Sequence, residues 1–172
     1  CPYSSGEKLV AAKCEEASTI KEVAQYMVSA GMKYFPKLIE QHGPFPGNDL
    51  SCISLGGTCF SAAHVTANAK VERHVDQYDL HGTLIAWGEK GDIFGGGFLL
   101  LDFLLSIKLK GFTILHADSK KWDHGSLAPV SQDGGVRYGV ALNNRTGTIT
   151  GARNQCSHGS QFPYGNDQLY LL

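Results

Sequence analysis

A mainly β domain preceded by a helix is the fold class the sequence predicts, and three observations predict it. Thr19-Ile20-Lys21-Glu22 has the form of a capping box, and Ile20, Val23, Ala24, Met27, Val28 and Met32 follow at helical spacing. From Leu50 onward helix signals end and short apolar or alternating runs take over. Those runs are punctuated by Gly56-Gly57, Gly95-Gly96-Gly97 and Gly134-Gly135, the pattern of an antiparallel sandwich or barrel.

Taken in order, the helix is weakened at Gly31, and Pro36 should kink or restart it before the segment Lys37 to His42 ends at Gly43-Pro44. The expected strands are Cys52–Leu55, Phe60–Asp76, Thr83–Trp87, Phe98–Phe103, Phe112–His116, His124 with its neighbours, and Val136–Asn143. Thr150 to Leu172, with Pro163-Tyr164-Gly165-Asn166, is expected to form a loop and a short terminal strand. A chain of 172 residues can bury one substantial core. Residues 1–172 are therefore expected to be a single domain, with helical support over about 19–42, a β core over about 50–145 and a C-terminal extension over 150–172.

A formal charge of -1 supplies no long-range field for polyanions and disfavours a non-specific coating role on nucleic acid. A local basic patch could still hold a few nucleotides. Five cysteines, an odd number without any C-x-x-C pair, suit an intracellular chain better than a disulfide scaffold, and a nucleic-acid substrate would make that location nuclear. Cys52 and Cys59 flank the Gly-Gly turn, where a hairpin disulfide or two buried thiols would fit. No run of eighteen apolar residues marks a membrane span. Asn144-Arg145-Thr146 matches a glycosylation sequon but falls at the end of an expected core strand, which disfavours modification.

The chemistry concentrates at His74-Val75-Asp76. Side chains two apart on a strand leave the same face, so an imidazole and a carboxylate can bind one ion. His-x-Asp alone is common. Downstream, however, Trp122-Asp123-His124-Gly125 adds a second histidine after a hairpin and an apolar strand. Two histidines and one carboxylate with open positions form the facial triad of non-haem Fe(II) oxygen chemistry, whereas structural zinc prefers a closed tetrahedral set. The approach strand alternates, with Val65, Ala67, Ala69, Val71 and Val75 on an apolar face and Thr66, Asn68, Lys70, Glu72, His74 and Asp76 on a polar one. The polar face is expected to line the barrel mouth and the apolar face to pack under the helix, unless a bulge between Asn68 and His74 breaks the parity.

Alternation along Val136–Leu142 sets Arg137, Gly139 and Ala141 on one face, so a guanidinium sits beside two minimal side chains. That space suits a small dicarboxylate, with a solvated salt bridge as the plain alternative.

The ordered series Val65-Thr66-Ala67-Asn68, His74-Val75-Asp76, Phe94-Gly95-Gly96-Gly97-Phe98-Leu99-Leu100-Leu101, Lys110-Gly111-Phe112-Thr113-Ile114-Leu115, His124-Gly125 and Gly135-Val136-Arg137-Tyr138-Gly139-Val140 resembles the Fe(II)- and 2-oxoglutarate-dependent oxygenases. It looks most like their TET/JBP-type branch, over about Phe60 to Asn143. The resemblance implies a double-stranded β-helix (a jelly-roll, cupin-like barrel), iron on His74, Asp76 and His124, and Arg137 on the distal carboxylate of 2-oxoglutarate, with molecular oxygen as co-reactant and hydroxylation of a C–H bond. Asn68 belongs to the matched approach strand and is carried as a cofactor-binding candidate. Because the interval from His124 to Arg137 is short for some relatives, Arg145 is a second cosubstrate candidate, ranked after Arg137. For this branch the implied target is the methyl group of thymine or 5-methylcytosine in DNA or RNA, with the base flipped out of its stack.

Lys70, Arg73, Lys108, Lys110, Lys120 and Lys121 could contact phosphates or be solvating surface, and Tyr78 and His81 could stack on a substrate ring or pack a loop. Trp122 fits the core or the barrel rim better than a stacking platform. Rival readings are an oxygenase of the same fold acting on a protein side chain or metabolite, one using another reductant, and a non-catalytic cupin-like metal-binding module. In the last, His64, His81 or His116 could replace assigned ligands.

Overall fold

The computed structural model describes residues 7–43 and 54–150. Helix α1 (Glu7–Tyr34) starts well before the expected capping box, so Thr19 to Glu22 lie inside it rather than at its start. The preceding stretch, rich in Ala, Glu and Lys, is strongly helix-forming and carries the helix upstream. The helix runs through Gly31 and stops at Phe35, where Pro36 restarts it as α2 (Pro36–Glu40), as expected. Ala24 and Met27 are fully buried, with Ile20, Val23 and Val28 packed beside them, while Met32 turns outward.

Among the described residues ten strands follow: β1 (Ala62–Ala67), β2 (Val71–His74), β3 (Asp79–Lys90), β4 (Ile93–Gly95), β5 (Phe98–Leu100), β6 (Leu105–Ile107), β7 (Thr113–Ala117), β8 (His124–Ser126), β9 (Pro129–Ser131) and β10 (Val136–Arg145). They form a larger antiparallel sheet in the order β1-β10-β3-β7, a smaller one in the order β2-β8-β5-β6, and a β4-β9 pair. Sheets of this crossed order with an N-terminal supporting helix make the double-stranded β-helix that the resemblance implied.

The central strand β3 shows how the layers are built. Leu84 and Ala86 enter one core with Ala24, Met27, Phe60 and Leu142, under the helix. Ile85 and Trp87, on the opposite face, enter a second core with Phe98, Leu100 and Leu109. Both faces are covered, so the strand is nearly continuously apolar rather than alternating.

The expected single strand Phe60–Asp76 is two strands in different sheets. Asn68, with φ 50, turns the chain out of the larger sheet; its N–H donates to the Arg137 carbonyl (2.8 Å) and its side-chain oxygen accepts from the Arg137 N–H (2.8 Å). This break, and a register shift between Val71 and His74, interrupt the alternation, so that Ala69 and Val71 line the same cavity as His64 and Thr66. The apolar face therefore does not pack under the helix as a unit. Ala63 does, but Val65, Val71 and Val75 are exposed.

Other boundaries also differ. The Phe98–Phe103 strand ends at Leu100 and continues as a 3-10 turn, and Leu55 belongs to another 3-10 turn. Cys52 and Ile53 of the expected Cys52–Leu55 strand, and residues 151–172 of the expected C-terminal loop and strand, lie outside the described residues. The short β4, β6 and β9 were not expected, being too brief to show a period. Among the described residues no helix is long and apolar enough to cross a membrane.

Candidate metal centre

β2 and β8 pair antiparallel, with His74 directly opposite His124. Gly125 makes this approach feasible, because a Cβ there would lie 2.9 Å from the Val71 carbonyl oxygen. Asp76 lies just beyond β2 in a turn, held by its N–H donating to the Ser119 carbonyl (2.9 Å) and its carbonyl accepting from Asp79 N–H (3.0 Å). The ligand atoms of His74, Asp76 and His124 all fall within 4.8 Å of one another, the one such group among the described residues.

The protonation of the two rings follows from their backbone contacts. His74 Nδ1 sits 2.8 Å from the Glu72 carbonyl and His124 Nδ1 sits 2.9 Å from the Trp122 carbonyl. A carbonyl only accepts, so each Nδ1 carries the hydrogen and each Nε2 of the neutral ring presents a lone pair. Those lone pairs face Asp76, at 3.5 Å from Oδ1 and 3.6 Å from Oδ2. With both rings neutral these are three acceptors with no donor between them, a donor set that fits a metal ion. Behind His124, the rings of Phe98 and Trp87 form an apolar wall (5.8 Å from Phe98 to His124, 5.2 Å from Trp87 to Phe98).

The site opens into a cavity of about 300 Å³ between the two sheets. The inner face of β10 borders it as alternation predicts, with Arg137, Gly139 and Ala141 lining it, and Asn143 and Arg145 continuing the row. Arg137 is buried and its fork is filled. Nε (2.8 Å) and Nη2 donate to Glu89 Oε1, while Nη1 donates to the carbonyls of Gly95 (3.2 Å) and Gly96 (2.6 Å). A Cβ at Gly96, where φ is +64, would lie 1.9 Å from Arg137 Nη1 and 3.0 Å from Pro129 Cα, so another residue there would be strained and would push the guanidinium aside. Asn68 holds the backbone of Arg137 and does not line the cavity.

At the other end of the row, the Nε of Arg145 is buried without an acceptor among the described residues. His64 lies in the same region; burial, then the charge of Arg145, lowers its pKa. Asp79 opposes Arg145 across the β3–β10 ladder and is 2 % exposed. Its oxygens accept from Asn143 Nδ2 (2.9 Å each), Thr83 Oγ1 (2.9 Å) and Ser119 Oγ (3.4 Å), and burial pushes its pKa up. Neither Glu89 nor the Asp79 network was found from sequence. Asn143 was within reach, since it shares the parity of Arg137, but Glu89 needs the β3–β10 register.

His42, His81 and His116 lie elsewhere. His42 is buried with its Nε2 2.8 Å from His116 Nε2 and its ring edge-on to His81; burial, then His116 and His81, lower its pKa to about 3. His81 and His116 therefore do not join His74 and His124, and His64 is outside their ligand group. Lys70, Arg73 and Lys121 are paired with Glu72, Asp123 and Asp118, as a solvated surface would be. Asn144 is buried, bonded to Ser61 N–H and the Cys59 carbonyl, and offers no accessible amide for glycosylation. Trp122 packs into the second core and meets Phe103 edge-on, while Tyr78 is exposed.

Two histidines and a carboxylate gathered between the sheets of a double-stranded β-helix define the class of non-haem metal oxygenases. The chain belongs to the CMD1/TET dioxygenase C-terminal domain family, whose model matches residues 9–169. Its fold is similar to a solved structure of NgTET1 in complex with 5mC DNA, with a TM-score of 0.53 and 11% identity, over 84% of this chain and 56% of that one. This chain thus spans little more than half of that protein's length in the structure. No curated protein matches it in sequence.

Proposed function

We propose that this domain is an Fe(II)- and 2-oxoglutarate-dependent dioxygenase that hydroxylates the methyl group of 5-methylcytosine or thymine in nucleic acid. The observation that carries the reaction class is the convergence of two Nε2 atoms and one carboxylate beside the cavity between the sheets. Support for the substrate class is family membership and the likeness to a TET structure solved with 5mC DNA.

In this proposal His74, Asp76 and His124 bind the iron through Nε2, a carboxylate oxygen and Nε2. Bound there, iron supplies oxygen activation: 2-oxoglutarate is oxidised to succinate and carbon dioxide, and one oxygen atom enters the substrate C–H bond. The carbonyls of Glu72 and Trp122 orient the rings, and the turn bonded to Ser119 and Asp79 presents Asp76. Phe98 and Trp87 keep water from the side of His124. Two cations border the cavity, Arg137 and Arg145, and a cosubstrate carboxylate requires one of them.

The test is mass spectrometry of oligonucleotides incubated with iron-loaded protein, 2-oxoglutarate and oxygen. A 5-methylcytosine or thymine strand should gain one oxygen atom, and cytosine should not. Oxidation of peptides or small metabolites, with methylated oligonucleotides untouched, would move the substrate to another class.

A further inference from the structure

We propose that Asp102 is a positioning residue for the metal ligand His124, acting through the Trp122–Asp123 peptide and touching neither the ring nor the metal. The inference rests on the reading of His74, Asp76 and His124 as a metal centre.

His124 is 5 % exposed, so its ring depends on protein partners rather than on water for its orientation. Its Nδ1–H donates to the Trp122 carbonyl at 2.9 Å. The N–H of that same peptide belongs to Asp123, and it donates to Asp102 Oδ2 at 2.8 Å. One peptide plane is therefore fixed at both ends, by a carboxylate on one side and the imidazole on the other. A carboxylate accepting from a peptide N–H polarises the amide and strengthens its carbonyl as an acceptor. The stronger carbonyl holds the rotation and tautomer of the His124 ring and leaves more electron density on Nε2, the atom that lies 3.6 Å from Asp76 Oδ2.

The contacts around that peptide keep it in place without the Asp102 side chain. The Leu101 N–H donates to the Asp123 carbonyl at 2.8 Å, so the 3-10 turn Leu101–Phe103 holds Asp123 on both sides of its Cα. Phe103 meets Trp122 edge-on, with ring centroids 5.1 Å apart. The Asp123 carboxylate accepts from Arg73 Nε, and Arg73 directly precedes the other metal histidine. These contacts are made by backbone or by other side chains and outlast removal of the Asp102 carboxylate, so Asp102→Ala reports on one hydrogen bond. His74 supplies an internal comparison, because its Nδ1 donates to the Glu72 carbonyl at 2.8 Å, which belongs to a different peptide.

Anaerobic calorimetric titration with Fe(II) tests this on wild type, Asp102→Asn and Asp102→Ala. Asp102→Ala should bind Fe(II) about tenfold more weakly, the low end of the range for outer partners of metal ligands, since Asp102 is exposed and acts through an intervening peptide. Asp102→Asn, whose amide oxygen still accepts from the Asp123 N–H, should lose clearly less. In zinc-loaded protein the ring-nitrogen NMR shifts of His124 should move in Asp102→Ala while those of His74 stay in place. Wild-type Fe(II) affinity in Asp102→Ala, an Asn variant as weak as the Ala variant, or equal shifts at both histidines would overturn the assignment. Wild type that binds neither Fe(II) nor zinc would instead overturn the metal-centre reading, and the inference with it.

Discussion

Asp76 has both oxygens turned toward imidazole nitrogens whose hydrogens are committed elsewhere, and that arrangement makes it the most exacting single residue of the site. Asp76→Ala removes the only carboxylate of the group and should weaken Fe(II) affinity by at least about 10–100-fold, the scale at which even outer partners of a metal matter. Thermal unfolding of the metal-free protein should barely change, since Asp76 is partly exposed and its N–H and carbonyl, not its side chain, bond Ser119 and Asp79. The Glu89–Arg137 pair predicts the reverse pattern. Glu89→Ala or Arg137→Ala alone should destabilise by about 3–5 kcal/mol, and replacing both with uncharged residues should recover most of that in denaturant titrations. At this scale the sequence was unevenly informative. That His74, Asp76 and His124 come together was legible because His-x-Asp and a distal His-Gly are local patterns. The state of Arg137 was not, because Glu89 faces it only through a pairing between β3 and β10 that no short-range pattern encodes.

Among the elements, two corners govern whether the site exists. Asn68 turns the chain from one sheet into the other at φ 50 and bonds both backbone groups of Arg137. Asn68→Val, β-branched at a left-handed position and without the acceptor, should cost about 1–3 kcal/mol and broaden the β1–β2 corner in hydrogen exchange; Asn68→Gly should cost less. The second corner is where α2 ends against β7. His42 in the fold has a pKa of about 3, below its ordinary 6.5, because burial and the adjacent His116 and His81 oppose its charge. The unfolded chain therefore binds the proton more readily. Stability from this histidine is complete above about pH 6.5 and falls as pH drops from there toward about 3, at about 1.4 kcal/mol for each unit traversed. Melting temperature should decline over that window, and His42→Leu should flatten the decline. The helix, its restart at Pro36 and the main β strands were legible from period and punctuation. The break at Asn68 was not, because the alternation of residues 65–76 continues in sequence while the backbone leaves the sheet.

For the whole molecule, the placement of the site follows from having two sheets and a helix on one side. The helix covers the outer face of the larger sheet through Ala24, Met27, Leu84 and Leu142, which frees the inner face for the cavity. The inner core of Ile85, Trp87, Phe98 and Leu100 closes the cavity floor beside His124. Fold class was legible because an all-β pattern after one amphipathic helix admits few architectures. The sheet order was not, since it depends on pairings as distant as β1 with β10. A domain of this form, belonging to the CMD1/TET dioxygenase family, carries one central claim about chemistry: that the three-residue centre uses iron to couple 2-oxoglutarate to oxygen.

The most direct measurement is oxygen-dependent succinate formation from 2-oxoglutarate by anaerobically iron-loaded protein, comparing wild type with Asp76→Ala. Succinate from wild type, absent from Asp76→Ala and absent without oxygen, is the predicted result. An iron-bound wild type that forms no succinate, with methylated oligonucleotide present or not, would contradict it.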